Sequence, residues 1–490
     1  MREAGILLHI TSLPGEYGVG TMGKWAYRFV DFLETANQRY WQILPLGHTS
    51  YGDSPYATFS AFAGNPYMID YDLLCEDGLL EHKDYVYLKQ HFDKVDFGYL
   101  YNTKYGVLNK AYQRFEKNKA YDTFVKNNKF WLADYALFMN IKKEQDNKCW
   151  LDWDNEYKTR NTKALKEFTK NHQADIEFWY FVQYIFYKQW YDLKAYANKK
   201  NIKIIGDIPI YVAMDSSDVW SNVELFDISK DYVPNKVAGC PPDDFSKTGQ
   251  LWGNPVYNWS KMEECEYEWW VKRMKHSLSI YDVSRIDHFR GFEAYWAIPY
   301  GDETAVNGKW VKGPNVKLFK KLEEKLGKLN LIAEDLGTLT KSVHTMLKKL
   351  KYPGMRILEF GFDPKHDSLH APYNVINNSV VYPSSHDLPT IRTWFNNLET
   401  DEKYYVLDYL AAKDELYLVE EMVKCALATN ANLAIIAYQD YLELPDRGRM
   451  NTPNTLGGNW DYRVYDYEIN DGLALKIAYW MKLYKRNEVE

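Results

Sequence analysis

Eight short apolar runs recur along the chain, at residues 5–10, 41–46, 202–210, 283–289, 331–334, 356–362, 379–382 and 433–438. Each reads as a strand buried on both faces, the pattern of a parallel sheet covered by helices. Stretches with apolar residues at helical spacing lie between most of them, at 24–36, 178–199, 267–280, 316–326, 340–350 and 404–427. Strand and helix alternating eight times predict an α/β protein, a (β/α)8 barrel. The spacing is uneven. Residues 72–169 are rich in Lys, Asn and Tyr and predict a mostly helical insertion. Residues 215–266 hold Pro234, Gly239, Pro241, Pro242, Gly249 and Gly253 and predict a loop insertion. Loops of that length in a compact protein are usually functional. The whole chain, 1–490, is therefore expected to form one catalytic domain with two insertions.

Three carboxylates fall where apolar runs give way to loops. Asp287 ends Val283-Ser284-Arg285-Ile286-Asp287, Glu334 ends Leu331-Ile332-Ala333-Glu334, and Asp387 ends the run from Val380 through His386. Functional groups of such barrels collect at the C-terminal ends of the strands. Cleaving a glycosidic bond needs carboxyl groups on both sides of it, one donating a proton and the other attacking or activating water. Arg285 and Asp287 share a strand face, so Arg285 is expected to lower the Asp287 pKa. Glu334 and Asp335 are neighbours, and only one can face the barrel mouth. The general acid should be the less solvated member of the set.

The same residues admit other readings. His386-Asp387 with Asp287-His288 could supply metal ligands, but no His, Cys or carboxylate cluster has convincing ligand spacing, so no metal and no cofactor is expected. Gly18-Val19-Gly20-Thr21-Met22-Gly23 spells a dinucleotide-binding pattern. It starts about eight residues after its strand, and no acidic residue ends the next strand, so it reads as a glycine-containing loop. Asp207, inside Ile204-Ile205-Gly206-Asp207-Ile208-Pro209, reads equally as a structural or a ligand-facing acid.

The formal net charge of -7 argues against a nucleic-acid partner. Aromatic residues reach 17%, with 17 Trp and 42 Tyr, enough both to fill a large core and to leave rings for stacking on sugars. The five cysteines, Cys75, Cys149, Cys240, Cys265 and Cys425, are scattered and odd in number, which reads as reduced thiols. The apolar run 5–10 is too short for a secretory leader and no long uncharged apolar stretch occurs, so a cytoplasmic protein without a membrane partner is expected.

Several longer motifs resemble the amylomaltases, the 4-α-glucanotransferases or disproportionating enzymes of the α-amylase clan. They are Thr11-Ser12-Leu13-Pro14-Gly15, Tyr51-Gly52-Asp53-Ser54-Pro55-Tyr56, Gly206-Asp207-Ile208-Pro209-Ile210-Tyr211, Pro241-Pro242-Asp243, the segment from Phe245 to Pro255, Arg285-Ile286-Asp287-His288-Phe289-Arg290-Gly291, Ala333-Glu334-Asp335-Leu336-Gly337 and Arg449-Met450-Asn451. The resemblance implies a retaining transfer of α-1,4-glucan segments to the 4-hydroxyl of an acceptor. It implies Asp287 as nucleophile, Glu334 as general acid/base and Asp387 as transition-state stabiliser. Arg285, His386 and Asp207 are implied at the same subsite, Tyr56, Gln250, Trp252 and Asn451 as substrate contacts, and the loop around 234–250 as a cover over the glucan. Maltooligosaccharides and other α-1,4-glucans are the implied partners, with no cofactor. Ser385 and Leu388 beside His386-Asp387, and the segment from Glu443 to Gly448, depart from the family's usual wording. From the residues alone, an α-1,4-glucan hydrolase and a non-catalytic glucan-binding protein remain alternatives.

Overall fold

The computed structural model describes residues 2–243, 246–337 and 339–487. Among them, twelve strands follow in chain order: β1 (Glu3–Leu7), β2 (Tyr40–Gln42), β3 (Lys203–Pro209), β4 (Lys236–Cys240), β5 (Gln250–Pro255), β6 (Val283–Asp287), β7 (Ala294–Pro299), β8 (Lys309–Lys312), β9 (Leu331–Ala333), β10 (Gly354–Ile357), β11 (Ser379–Tyr382) and β12 (Leu433–Ala437). Eight of them close into a parallel barrel in the order β1-β12-β11-β10-β9-β6-β3-β2. Each of the eight apolar runs supplies one barrel strand, and the fold is the (β/α)8 barrel that their alternation with helices predicts. Helices cover the outside through apolar stripes. In Lys24–Thr35 the stripe is Ala26, Phe29, Val30, Phe32 and Leu33, and in Val316–Leu326 it is Leu318, Phe319 and Leu322. The helical pattern at 404–427 is broken in two, Thr400–Leu410 and Leu418–Ala428, because Ala411 takes a left-handed conformation that caps the first helix.

Residues 72–169 hold the helices Phe97–Arg114, Lys119–Glu144 and Thr162–Asn171 besides shorter turns. Their aromatic rings pack on the helix Gln173–Lys199, as Tyr135 does on Trp179 and Trp131 on Tyr187. Buried His48, from the connection after β2, ties this layer to the barrel through the hydroxyls of Tyr135 and Tyr105.

The stretch expected to be a loop, 215–266, is more ordered than that. It contains the helices Ser217–Ser221 and Trp259–Glu264 and the strands β4 and β5. With β7 and β8, which follow β6, the fourth barrel strand in sequence, these form a four-stranded antiparallel sheet in the order β5-β4-β7-β8. The sequence hid β5 because Gly253 and Pro255 interrupt it and its middle residues face solvent. Of the motif running from Phe245 to Pro255, Phe245 lies outside the described residues, as does Asp244 in the loop around 234–250.

β3 and β6 pack against a close neighbour. A Cβ built at Gly206 would lie 2.2 Å from ring carbons of buried Tyr281. Gly206→Ala should therefore cost about 1–3 kcal/mol by overpacking. Gly106, exposed on the helix Phe97–Arg114 with nothing within 4 Å of such a Cβ, is the control. Gly106→Ala should stabilise by about 0.5–1 kcal/mol through helix propensity. Denaturant midpoints of the two variants should move in opposite directions.

Candidate active site

The barrel register sets the first contact of the site. Asp207 on β3 lies opposite Arg285 on β6, and Pro209 lies opposite Asp287. Arg285 is buried and divides its guanidinium between two acids. Its Nη1 donates to Asp207 Oδ2, and its Nη2 donates to Asp287 Oδ1 at 3.0 Å. Its Nε points at Met355 Sδ on β10, 3.3 Å away.

From Asp207 a chain of polar contacts crosses the barrel mouth. Tyr56, from the loop after β2, donates its hydroxyl to Asp207 Oδ2 at 2.7 Å and meets His386 Nε2 at 2.8 Å. The Tyr56 and His386 rings stack at 10°. His386 Nε2 lies 3.2 Å from Asp387 Oδ2, and Asn451 Nδ2 donates to Asp387 Oδ1 at 2.7 Å. Six of the residues singled out in sequence are thus joined to Arg285 in one network: Asp207, Asp287, Tyr56, His386, Asp387 and Asn451. Asp387 does not end a strand, as the apolar run implied. β11 stops at Tyr382, and Asp387 sits five residues on in a turn, where His386 and Asn451 hold it instead of a β-ladder.

Glu334 follows the last residue of β9 and is held by backbone. His288 N donates to its Oε2 and Leu336 N to its Oε1, each at 2.7 Å. His288 takes a left-handed conformation, φ 50°, directly after Asp287. That uncommon turn sends the chain sharply away from β6 and aims the His288 amide at Glu334. Asp335 points elsewhere. It accepts from Met355 N at 2.6 Å and from Arg356 Nη1 at 3.2 Å, and its carboxylate fills space that a Cβ at Gly354 would occupy.

Burial and charge separate the acids. Glu334 is almost closed to solvent, and burial, with the nearby Asp287 charge, pushes its carboxyl up to about 8. Asp287 keeps 30% of its side chain open to the cleft. Burial raises it to about 6, and Arg285 pulls against that rise. The expectation that Arg285 would leave Asp287 with a lowered pKa is corrected here: desolvation outweighs a cation that also serves Asp207. For Asp387 burial is overcome by the charge and hydrogen bond of His386 and by Asn451, which hold the carboxyl well below its ordinary range. Of Asp287, Glu334 and Asp387, the least solvated is therefore Glu334, and it holds its proton to the highest pH.

Gln250 and Trp252 lie on β5 above this floor. Trp252 Nε1 donates to Gln250 Oε1 at 3.0 Å, and the partly exposed Trp252 ring meets the His288 ring edge-on at 4.8 Å. They reach the catalytic turn through His288 and are not part of the Arg285 network. Two residues of the site escaped sequence reasoning. Met355 backs Arg285, and Trp460 packs its ring 5.6 Å from Tyr56 and 6.3 Å from His386. Trp460 sits in a Gly-Gly-Asn-Trp loop with no periodic signal around it. Among the described residues, no group of three or more His, Cys, Asp and Glu side chains is arranged to hold a metal ion. The literal glycine motif at 18–23 lies in the loop leading into the helix Lys24–Thr35, where Gly20 passes close to the Ile10 carbonyl.

The raised Glu334 pKa has a consequence for stability. Between its ordinary 4.5 and about 8, the folded protein retains a proton that the unfolded chain has released. The folded state binds more protons there, so stability falls as pH rises across that window. Glu334→Gln removes the titration. Its unfolding free energy should decline less between pH 5 and 8 than that of the unaltered protein, measured by urea denaturation at each pH. Parallel curves would contradict the buried, protonated Glu334.

The sequence matches, from residue 8 to residue 468, the family described as 4-alpha-glucanotransferase. It is 47% identical to the 4-alpha-glucanotransferase of Clostridium butyricum over 98% of this chain and 100% of the relative. It is also 47% identical to that of Aquifex aeolicus over 95% of this chain and 96% of the relative. The solved amylomaltase from Streptococcus agalactiae in complex with acarbose superposes with a TM-score of 0.96 at 41% identity, covering 99% of this chain and 100% of that one. With its barrel, its clustered acids and this agreement over nearly its whole length, the chain belongs to the 4-α-glucanotransferase family.

Proposed function

We propose that this enzyme is a 4-α-glucanotransferase that moves α-1,4-glucan segments between maltooligosaccharides through a covalent glycosyl-enzyme, working in the cytoplasm. The observation that carries the mechanism is the split in setting between two neighbouring acids: Asp287 receives the Arg285 guanidinium and stays partly open to the cleft, whereas Glu334 is buried on backbone amides and is raised further by that burial. At neutral pH that split supplies one carboxylate and one carboxylic acid, the pair that retaining glycosyl transfer requires. Membership of the family supports transfer over simple hydrolysis. Described helices too short or polar to cross a membrane, and five unpaired cysteines, agree with a cytoplasmic location.

In the first half-reaction the Glu334 carboxyl gives its proton to the glycosidic oxygen. The Asp287 carboxylate attacks the anomeric carbon, the bond to the leaving sugar breaks, and an ester to Asp287 forms. Arg285 fixes the Asp287 carboxylate for this attack. Asp387, held ionised by His386 and Asn451, binds hydroxyls of the distorted ring as positive charge develops. In the second half-reaction the acceptor 4-hydroxyl attacks the anomeric carbon of the glycosyl ester, and the bond from that carbon to the Asp287 oxygen breaks. The hydroxyl proton passes to Glu334, and Asp287 is released. The geometry expected of such a pair is a carboxyl separation of about 5–5.5 Å.

Incubation with maltotriose tests the activity. A ladder of longer maltooligosaccharides together with glucose is the expected product, and glucose and maltose without a ladder would make the enzyme a hydrolase. Asp287→Asn should reduce turnover by on the order of 10⁴ or more while folding is kept, because a neutral amide cannot form the ester. The pH profile follows from the two acids. kcat/KM should rise as Asp287 ionises near pH 6 and fall as Glu334 loses its proton near pH 8. An α-glucosyl fluoride, whose leaving group needs no proton, should partly bypass Glu334→Gln in the first step. The glycosyl-enzyme should then accumulate and be visible by mass spectrometry. Asp335→Asn should show no accumulation; the reverse pattern would exchange the roles of the two neighbours.

A further inference from the structure

The antiparallel sheet carries two large rings outward, Trp252 on β5 and Trp310 on β8, and Trp310 is the more open of the two. Trp310, on the edge strand β8, leaves 43% of its surface open. A lone exposed apolar residue is ordinary on a protein surface, but Trp310 is clamped. The Arg290 guanidinium lies over its ring, 3.8 Å from the centroid. Trp296, its cross-strand partner on β7, meets it edge-on at 5.2 Å and is itself fixed by an Nε1–H donated to the Ala305 carbonyl at 2.8 Å. Arg290 and Trp296 fix the ring and still leave much of the residue open to solvent. Exposed Lys309 and Lys312 flank it on the same strand. Arg290 also links this ring to the chemistry. It lies in the turn Phe289–Phe292 directly after the catalytic strand, next to Phe289, whose amide donates to the Glu334 carbonyl oxygen at 3.1 Å.

We propose that Trp310 is a stacking platform for the α-1,4-glucan chain on the side of the site where Glu334 works, the side of the leaving and incoming sugars. The proposal rests on the transferase reading above. A flat apolar ring suits the C–H face of a glucose unit, and the ammonium of Lys312, two residues along on the same strand face, suits its hydroxyls. A ring immobilised before the ligand arrives loses little freedom on binding, so its contact area converts efficiently to affinity. Glu334 protonates the departing oxygen, so the departing and accepting chains both run out past it. Arg290 lies over Trp310 and follows Phe289, which is hydrogen-bonded to Glu334, so the ring is tied to the Glu334 end of the site. A short substrate would end before reaching it, whereas a long one would lie across it.

Two measurements test this. In steady-state kinetics, Trp310→Ala should raise KM for a long linear amylose by roughly five- to tenfold, with kcat kept and KM for maltotriose changed by less than about twofold. Trp310→Phe should restore most of the loss. Equal effects on both substrates, or none on amylose, would overturn the platform. In affinity electrophoresis through amylose-containing gels, which needs no turnover, Trp310→Ala should migrate faster than the unaltered enzyme, and equal retardation would overturn the proposal. Sedimentation velocity on the same proteins covers the remaining occupant. If Trp310→Ala dissociates a dimer and leaves the amylose KM unchanged, the ring belongs to an interface between copies. Failure of the unaltered enzyme to build a ladder from maltotriose would instead fail the transferase reading, while the gel assay would still decide the platform.

Discussion

A buried guanidinium shared between two carboxylates holds this site together. Removing Arg285 from water is costly, and one acid beside it would leave donors of its rigid fork unmatched. Asp207 takes one end, Asp287 the other, and Met355 receives the Nε. The arrangement depends on barrel register, since Asp207 and Arg285 face each other only because β3 and β6 pair residue for residue at that level. A slip of one residue would turn one of them out of the barrel.

The sharing also explains why the acids differ. Arg285 cannot neutralise Asp287 fully while it serves Asp207, so burial leaves Asp287 above an ordinary aspartate and yet well below Glu334. Glu334 receives two backbone amides but no cation of its own, and it is the more deeply buried. At the far end, Asp207 fixes Tyr56, Tyr56 fixes His386, and His386 with Asn451 keeps Asp387 charged. One network therefore prepares an ionised attacker, a protonated acid and an ionised stabiliser in a single cleft. Preorganised charges of this kind need no rearrangement when the transition state forms.

How legible this was in the sequence depended on the physical signal each part leaves. Barrel strands buried on both faces appear as continuous apolar runs, so all eight were readable, and Asp287 and Glu334 at the ends of two of them stood out, whereas Asp387 lies in a turn beyond its strand. The four-stranded sheet was not readable. Its strands are short, β5 carries Gly253 and Pro255, and its pairing joins segments separated by the fourth barrel strand, β6. Glu334 and Asp335 could not be told apart because β9 ends at Ala333, so strand alternation no longer governs them. What separates them is the left-handed turn at His288 and the room left by Gly354, both properties of the folded backbone. The Asp287 pKa was misread for a related reason: a neighbouring cation is visible in sequence, but burial and a second carboxylate competing for that cation are not. Trp460 and Met355 join the site from a glycine-rich loop and a core strand, where nothing local marks them.

The central claim is that Asp287 gives up its proton before Glu334 does, in the free enzyme and without substrate. Carbon-13 NMR titration of the side-chain carboxyls, assigned with Asp287→Asn and Glu334→Gln, measures this directly. The account predicts a first step near pH 6 that disappears in Asp287→Asn and a second near pH 8 that disappears in Glu334→Gln. A Glu334 already ionised at pH 6, or an Asp287 that titrates after it, would contradict the account.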